Sequence, residues 1–96
     1  MKAKVVLNPI RYSTIKIYLP KEIAEHIQSK SVVVYEMKDC LVIRESTIDD
    51  YKTLALNEKK LNYIINYTSK NAFYFVGDFE IDIEEGKLIL YRDDEQ

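Results

Sequence analysis

Two stretches of this chain alternate apolar and polar residues with a period of two, and no other feature restricts the fold as much. Phe79, Ile81 and Ile83 alternate with Glu80, Asp82 and Glu84, the pattern of a strand with one face in a core and an acidic face in water. Ile15, Ile17 and Leu19 alternate in the same way with Thr14, Lys16 and Tyr18. The β-branched and aromatic run Val32-Val33-Val34-Tyr35 within residues 31–37 forms a further strand. A Lys38-Asp39 turn returns the chain as a strand over Cys40–Glu45, and Ala72 to Val76 reads as a strand. Gly77-Asp78 and Glu85-Gly86 supply turns on either side of the 79–84 strand, and Lys87–Arg92 returns.

Two segments have helical character. Pro20 ends the strand over 15–19 and suits the first position of a helix. Lys21 to Ile27 then places Ile23 and Ile27 one turn apart, which predicts a short helix of about two turns. In the second half, Lys52 to Leu56 reads as a strand, followed by a helix from an Asn57 N-cap to about Tyr67 with Leu61, Ile64 and Ile65 on its apolar face. Ile48, Tyr51, Ala55 and Leu61 also fit helical spacing, so a single helix over residues 49–66 is the alternative. It would leave Asn57 mid-helix, where its side chain competes for the backbone. The expected class is α+β: mostly antiparallel hairpins with two short helices. The polar tail 93–96 is expected to fray.

Ninety-six residues form one small domain or two very small units sharing a core. A chain this short buries only about 60–65% of its unfolded surface and benefits from a partner or an internal copy. Residues 46–50 are polar and turn-like, which divides the chain into units 1–46 and 47–96. Cys40 is the only cysteine, no apolar run approaches about 18 residues, and the N-terminus is not signal-like. These features predict a cytoplasmic protein without a membrane span. Abundant Ile, Tyr, Lys and Glu with two glycines hint at a thermophilic source.

The net charge of −2 hides an uneven distribution. Residues 1–46 carry eight basic and five acidic side chains, a net +3, whereas residues 47–96 carry six and eleven, a net −5. The first 21 residues contain five basic residues and no acid. Such a local field attracts phosphates even on an acidic protein.

Little in the sequence nominates catalysis. His26 is the lone histidine and lacks an evident nucleophile to serve. Cys40 opens a strand and suits packing. The Cys/His spacings of zinc sites are absent, and Glu80, Asp82 and Glu84 read as a solvated face. No enzyme activity, cofactor or metal is expected.

The segment Ile17-Tyr18-Leu19-Pro20-Lys21-Glu22-Ile23 resembles the strand-to-helix signature of the AbrB/SpoVT/MazE family of swapped-hairpin DNA-binding proteins. Lys2–Leu7 resembles that family's first strand, and residues 31–37 with 40–45 its C-terminal hairpin. Residues 77–90, Gly-Asp-Phe-Glu-Ile-Asp-Ile-Glu-Glu-Gly-Lys-Leu-Ile-Leu, resemble the same hairpin a second time. The resemblance implies two diverged tandem copies of a β-α-β-β unit, basic over 1–46 and acidic over 47–96. They would either close on one another within one chain or pair between two chains as a homodimer. Tyr12-Ser13 stands where the family usually carries a glycine turn, and Leu56-Asn57 lacks the proline.

The function implied is transcriptional regulation through double-stranded DNA. Lys2, Lys4, Arg11, Lys16 and Lys21 would contact phosphate, and Arg11, with its planar fork, would reach a base edge. The competing expectation is a protein-interaction module, antitoxin-like or inhibitory, that presents its acidic C-terminal half to a basic partner.

Overall fold

The computed structural model describes residues 1–92, so the expectation for the tail 93–96 lies outside the described residues. Strands β1 (Lys2–Leu7), β2 (Thr14–Pro20), β3 (Ser31–Glu36) and β4 (Cys40–Glu45) come from the first half. The second half supplies the two short strands β5 (Leu54–Ala55) and β6 (Asn57–Glu58), then β7 (Asn62–Thr68), β8 (Gly77–Glu84) and β9 (Lys87–Arg92). All pairings are antiparallel, in the order β5-β3-β4-β9-β8-β1-β2-β7-β6. Both outermost strands belong to one segment bent at Leu56, whose amide donates to the Lys30 carbonyl at 2.9 Å. The sheet therefore curls into a nearly closed barrel with Leu56 at the seam, and little strand edge is left unpaired.

This corrects the α+β expectation, because the described residues contain no α-helix. Lys21–Glu25 forms one turn of 3-10 helix in place of two α-helical turns. Ile23 and Ile27 are nonetheless both buried, so a single turn completes the packing and the chain must already be returning toward β3. A longer helix would have added exposed turns with no face to bury. The predicted helix over Asn57–Tyr67 is instead β6, a short turn and β7, which also excludes one helix over 49–66. Tyr63, Ile65 and Tyr67 point toward the core while Asn66 and Thr68 stay exposed. β-Branched and aromatic side chains fit a pleated surface, and β2 offers a seven-residue partner in register, from Thr14↔Thr68 to Pro20↔Asn62. Ala72–Phe75, expected as a strand, is a second 3-10 turn that buries Ala72 and Phe75.

The pairing pattern has an internal twofold. Exchanging β1 with β5/β6, β2 with β7, β3 with β8 and β4 with β9 turns every observed pairing into another observed pairing. The registers agree. A shift of 48 carries β2 onto β7, 47 carries the β3–β4 hairpin onto β8–β9, and 51 carries β1 onto the Leu54–Glu58 segment. Equivalent positions are buried in pairs: Val5 with Leu56, Ile17 with Ile65, Val32 with Phe79, Leu41 with Leu88, and Ile43 with Leu90. These side chains fill the barrel, and Ile23, Ala72 and Phe75 from the two 3-10 segments join the same cluster with Ile27, which follows the first. The pseudo-axis enters between β2 and β7 and leaves between β4 and β9.

Candidate nucleic-acid interface

The twofold arrangement sorts charge more sharply than the division into N- and C-terminal halves. The segments on the β2/β7 side, residues 1–30 and 52–76, carry ten basic side chains and three acids (Glu22, Glu25 and Glu58), a net +7. The β3–β4 and β8–β9 sides with the linker, residues 31–51 and 77–92, carry four basic and ten acidic side chains, a net −6. One pole of the barrel is thus cationic and the opposite pole anionic. A linear reading cannot find this, because each pole draws on both halves of the chain.

On the cationic side, the outward-facing positions of β1, β2 and β7 form one outer surface, with those of β2 at most partly exposed. Lys16 lies between Val6 and Asn66, and Lys4 lies between Tyr18 and Asp78. An open groove of about 430 Å³ runs beside Lys4, Tyr18, Pro20 and Asn62. At one end of this surface, residues 8–13 connect β1 to β2. The Asn8 carboxamide oxygen accepts from the amides of Ile10 (2.9 Å) and Arg11 (3.3 Å), an Asx motif that holds the loop in a defined shape. Ser13 takes a left-handed backbone, φ 57°. Its carbonyl accepts from the Ser69 amide at 3.0 Å, and the Thr14 and Thr68 hydroxyls pair at 2.8 Å. The loop is thereby tied to the end of β7. Arg11 projects from it into solvent, and the Tyr12 ring packs edge-on against Phe73 at 6.3 Å.

The five predicted contact residues do not behave alike. Lys4, Arg11 and Lys16 form no ion pair with any described residue. Lys2 is ion-paired to Glu80 at 2.9 Å. Lys21 is ion-paired to Glu58 at 3.0 Å and lies over the Tyr63 ring. It belongs to a contact between the halves more than to the open surface.

Residues that sequence reasoning passed over lie at the other end of the same surface. Lys59 and Lys60 are exposed on the β6–β7 turn, which the pseudo-twofold makes the counterpart of loop 8–13. Their signal was hidden by placing them inside a helix.

The anionic side holds ordered polar clusters. Arg44 grips Asp50 through two hydrogen bonds, at 2.9 and 3.0 Å, and the Thr47 amide donates to the same carboxylate at 2.7 Å. The Arg44 bonds, followed by that amide, hold Asp50 well below the usual carboxylate range. Burial pushes Glu36 up, but hydrogen bonds involving Ser69, Tyr67 and Asn71 outweigh it and leave the group lowered. Burial, then the Glu36 bond, raises Tyr67. These groups fasten the linker to β4 and β3 to β7. Among the described residues, no cluster of three or more His, Cys, Asp or Glu side chains could hold a metal ion, and no helix is long and apolar enough to cross a membrane. Comparison with protein families, curated proteins and solved structures finds no match to this chain.

Proposed function

We propose that this protein binds double-stranded DNA and acts as a transcriptional regulator, with the β2/β7 pole facing the duplex. The observation that carries the reading is the separation of charge along the pseudo-twofold axis, +7 on one side and −6 on the other. A duplex presents one negative charge per about 1.7 Å of its axis, so a cationic pole attracts it while the acidic pole disfavours the reverse orientation. Arg11 and Lys16 are the principal contacts, Arg11 on a braced loop and Lys16 on the strand beside the axis. Lys4 adds a phosphate contact. The strand–proline–Lys-Glu-Ile resemblance to AbrB-like DNA-binding proteins points the same way.

The test is duplex affinity by fluorescence anisotropy at low salt, comparing the wild type with Arg11→Ala/Lys16→Ala. A fall of tenfold or more is expected. Equal affinities would remove the reading. Duplex binding that is absent from the wild type, together with retention of a basic protein by the acidic pole, would favour the interaction-module alternative.

A further inference from the structure

The two ends of the proposed surface are related by the pseudo-axis yet differ in construction. Loop 8–13 has six residues, is braced by Asn8 and Ser13, and projects Arg11 with Ile10 and Tyr12, which are 88% and 86% exposed. Its counterpart, residues 59–61, has three residues and is closed by the Lys59 amide donating to the Asn62 carbonyl at 2.8 Å. It offers two lysines and no arginine. The neighbouring Glu58 is neutralised by Lys21, so the field of Lys59 and Lys60 is left unopposed there. The equivalent position at the first end is Leu7, which carries no charge.

Resting on the DNA-binding reading, we propose that one chain recognises an asymmetric duplex site, with loop 8–13 reading bases at one end and Lys59 and Lys60 clamping phosphates at the other. The chemistry of the ends dictates the division. An arginine fork presents a rigid pair of donors that matches the edge of guanine, whereas two neighbouring lysines on flexible stems act mainly as point charges. A loop of six residues projects its side chains farther toward a groove than a three-residue turn does.

The dimensions suit a single chain. Seven residues of β2 at about 3.3 Å each separate the loops by at least roughly 20 Å, or about six base pairs. The greatest molecular extent of 33 Å is just under one helical turn of about 34–36 Å. The pseudo-axis supplies within one chain the two ends that a symmetric dimer would supply from two. Because the ends differ, the site they fit is not a palindrome.

The experiment selects binding duplexes from a randomised pool. It then measures affinity and stoichiometry for the best sequence and for a mixed-sequence control. The variants are Arg11→Ala and Lys59→Ala/Lys60→Ala, each checked for an unchanged thermal melt. A non-palindromic selected sequence bound by one chain is expected. Arg11→Ala should lose roughly five- to a hundredfold of its preference for that sequence over the control. The lysine variant should weaken both duplexes equally and reduce the slope of log affinity against log salt by about two.

A palindromic site bound by two chains would overturn the proposal. So would unchanged affinity in the lysine variant while Arg11→Ala/Lys16→Ala still loses binding, a result that leaves the DNA-binding reading intact. Failure of the wild type to bind any duplex would overturn both.

Discussion

Residues 57–67 are where a helix and a strand make opposite demands on particular side chains, so truncating two of them tests the fold at its most informative point. On a helix from Asn57, Leu61 and Ile65 lie one turn apart on the same buried face. On β7, Ile65 is fully buried opposite Ile17 beside the pseudo-axis, whereas Leu61 is 80% exposed on the turn before it. Ile65→Ala removes buried methyl and methylene groups and leaves a cavity shared by both halves, at a cost of about 2–5 kcal/mol. A domain of this length has roughly 5–14 kcal/mol of stability to lose, and each kcal/mol moves Tm by about 4–8 °C. A loss near 3 kcal/mol therefore lowers Tm by about 12–24 °C. Leu61→Ala should stay within about 0.5 kcal/mol, as exposed substitutions do. Thermal melts followed by far-UV circular dichroism read both variants directly. Equal, large losses at Leu61 and Ile65 would refute the strand and with it the barrel.

Two further predictions concern the acidic side. Asp50 is held below its unfolded pKa by Arg44, so its contribution is present above about pH 4 and is lost as the pH falls toward the folded value. Asp50→Asn should lower Tm at pH 7 by a difference that shrinks steadily as the pH falls below about 4, and a pH-independent difference would contradict the ion pair. Gly77 has φ 139°, and a Cβ there would stand 2.9 Å from Arg92 Nη1, which donates to the Val76 carbonyl at 2.8 Å. Gly77→Ala should cost about 1–3 kcal/mol, measured by urea denaturation, and a neutral result would show that the backbone there is not constrained.

The strands legible in the sequence were those whose alternation is strict or whose ends are punctuated. The 15–19 run stops at Pro20, and 79–84 stops at Glu85-Gly86. The 62–68 strand was hidden because Ile64 and Ile65 are adjacent apolar residues and Leu61 extends the run, which satisfies a helical face as readily as a pleated one. Only tertiary pairing with β2 decides between them, and pairing is invisible in one dimension.

The positive charge of the β2/β7 side was legible where it is local in sequence, as at Arg11 and Lys16. It was illegible where charge from distant segments converges, as at Lys59 and Lys60. Lys2 and Lys21 lie in a stretch that is acid-free in sequence and not in space: Glu80 and Glu58 arrive from the second half.

The central claim is that the cationic pole engages phosphate, and salt dependence addresses it most directly. Lys4, Lys16, Lys59 and Lys60, with Arg11 where it also touches the backbone, would give four or five phosphate contacts, hence a slope of log affinity on log salt of about −4. The wild type should therefore lose roughly 10²–10³-fold in duplex affinity between 50 and 200 mM salt. An affinity that stays within a few-fold over that range would contradict the account.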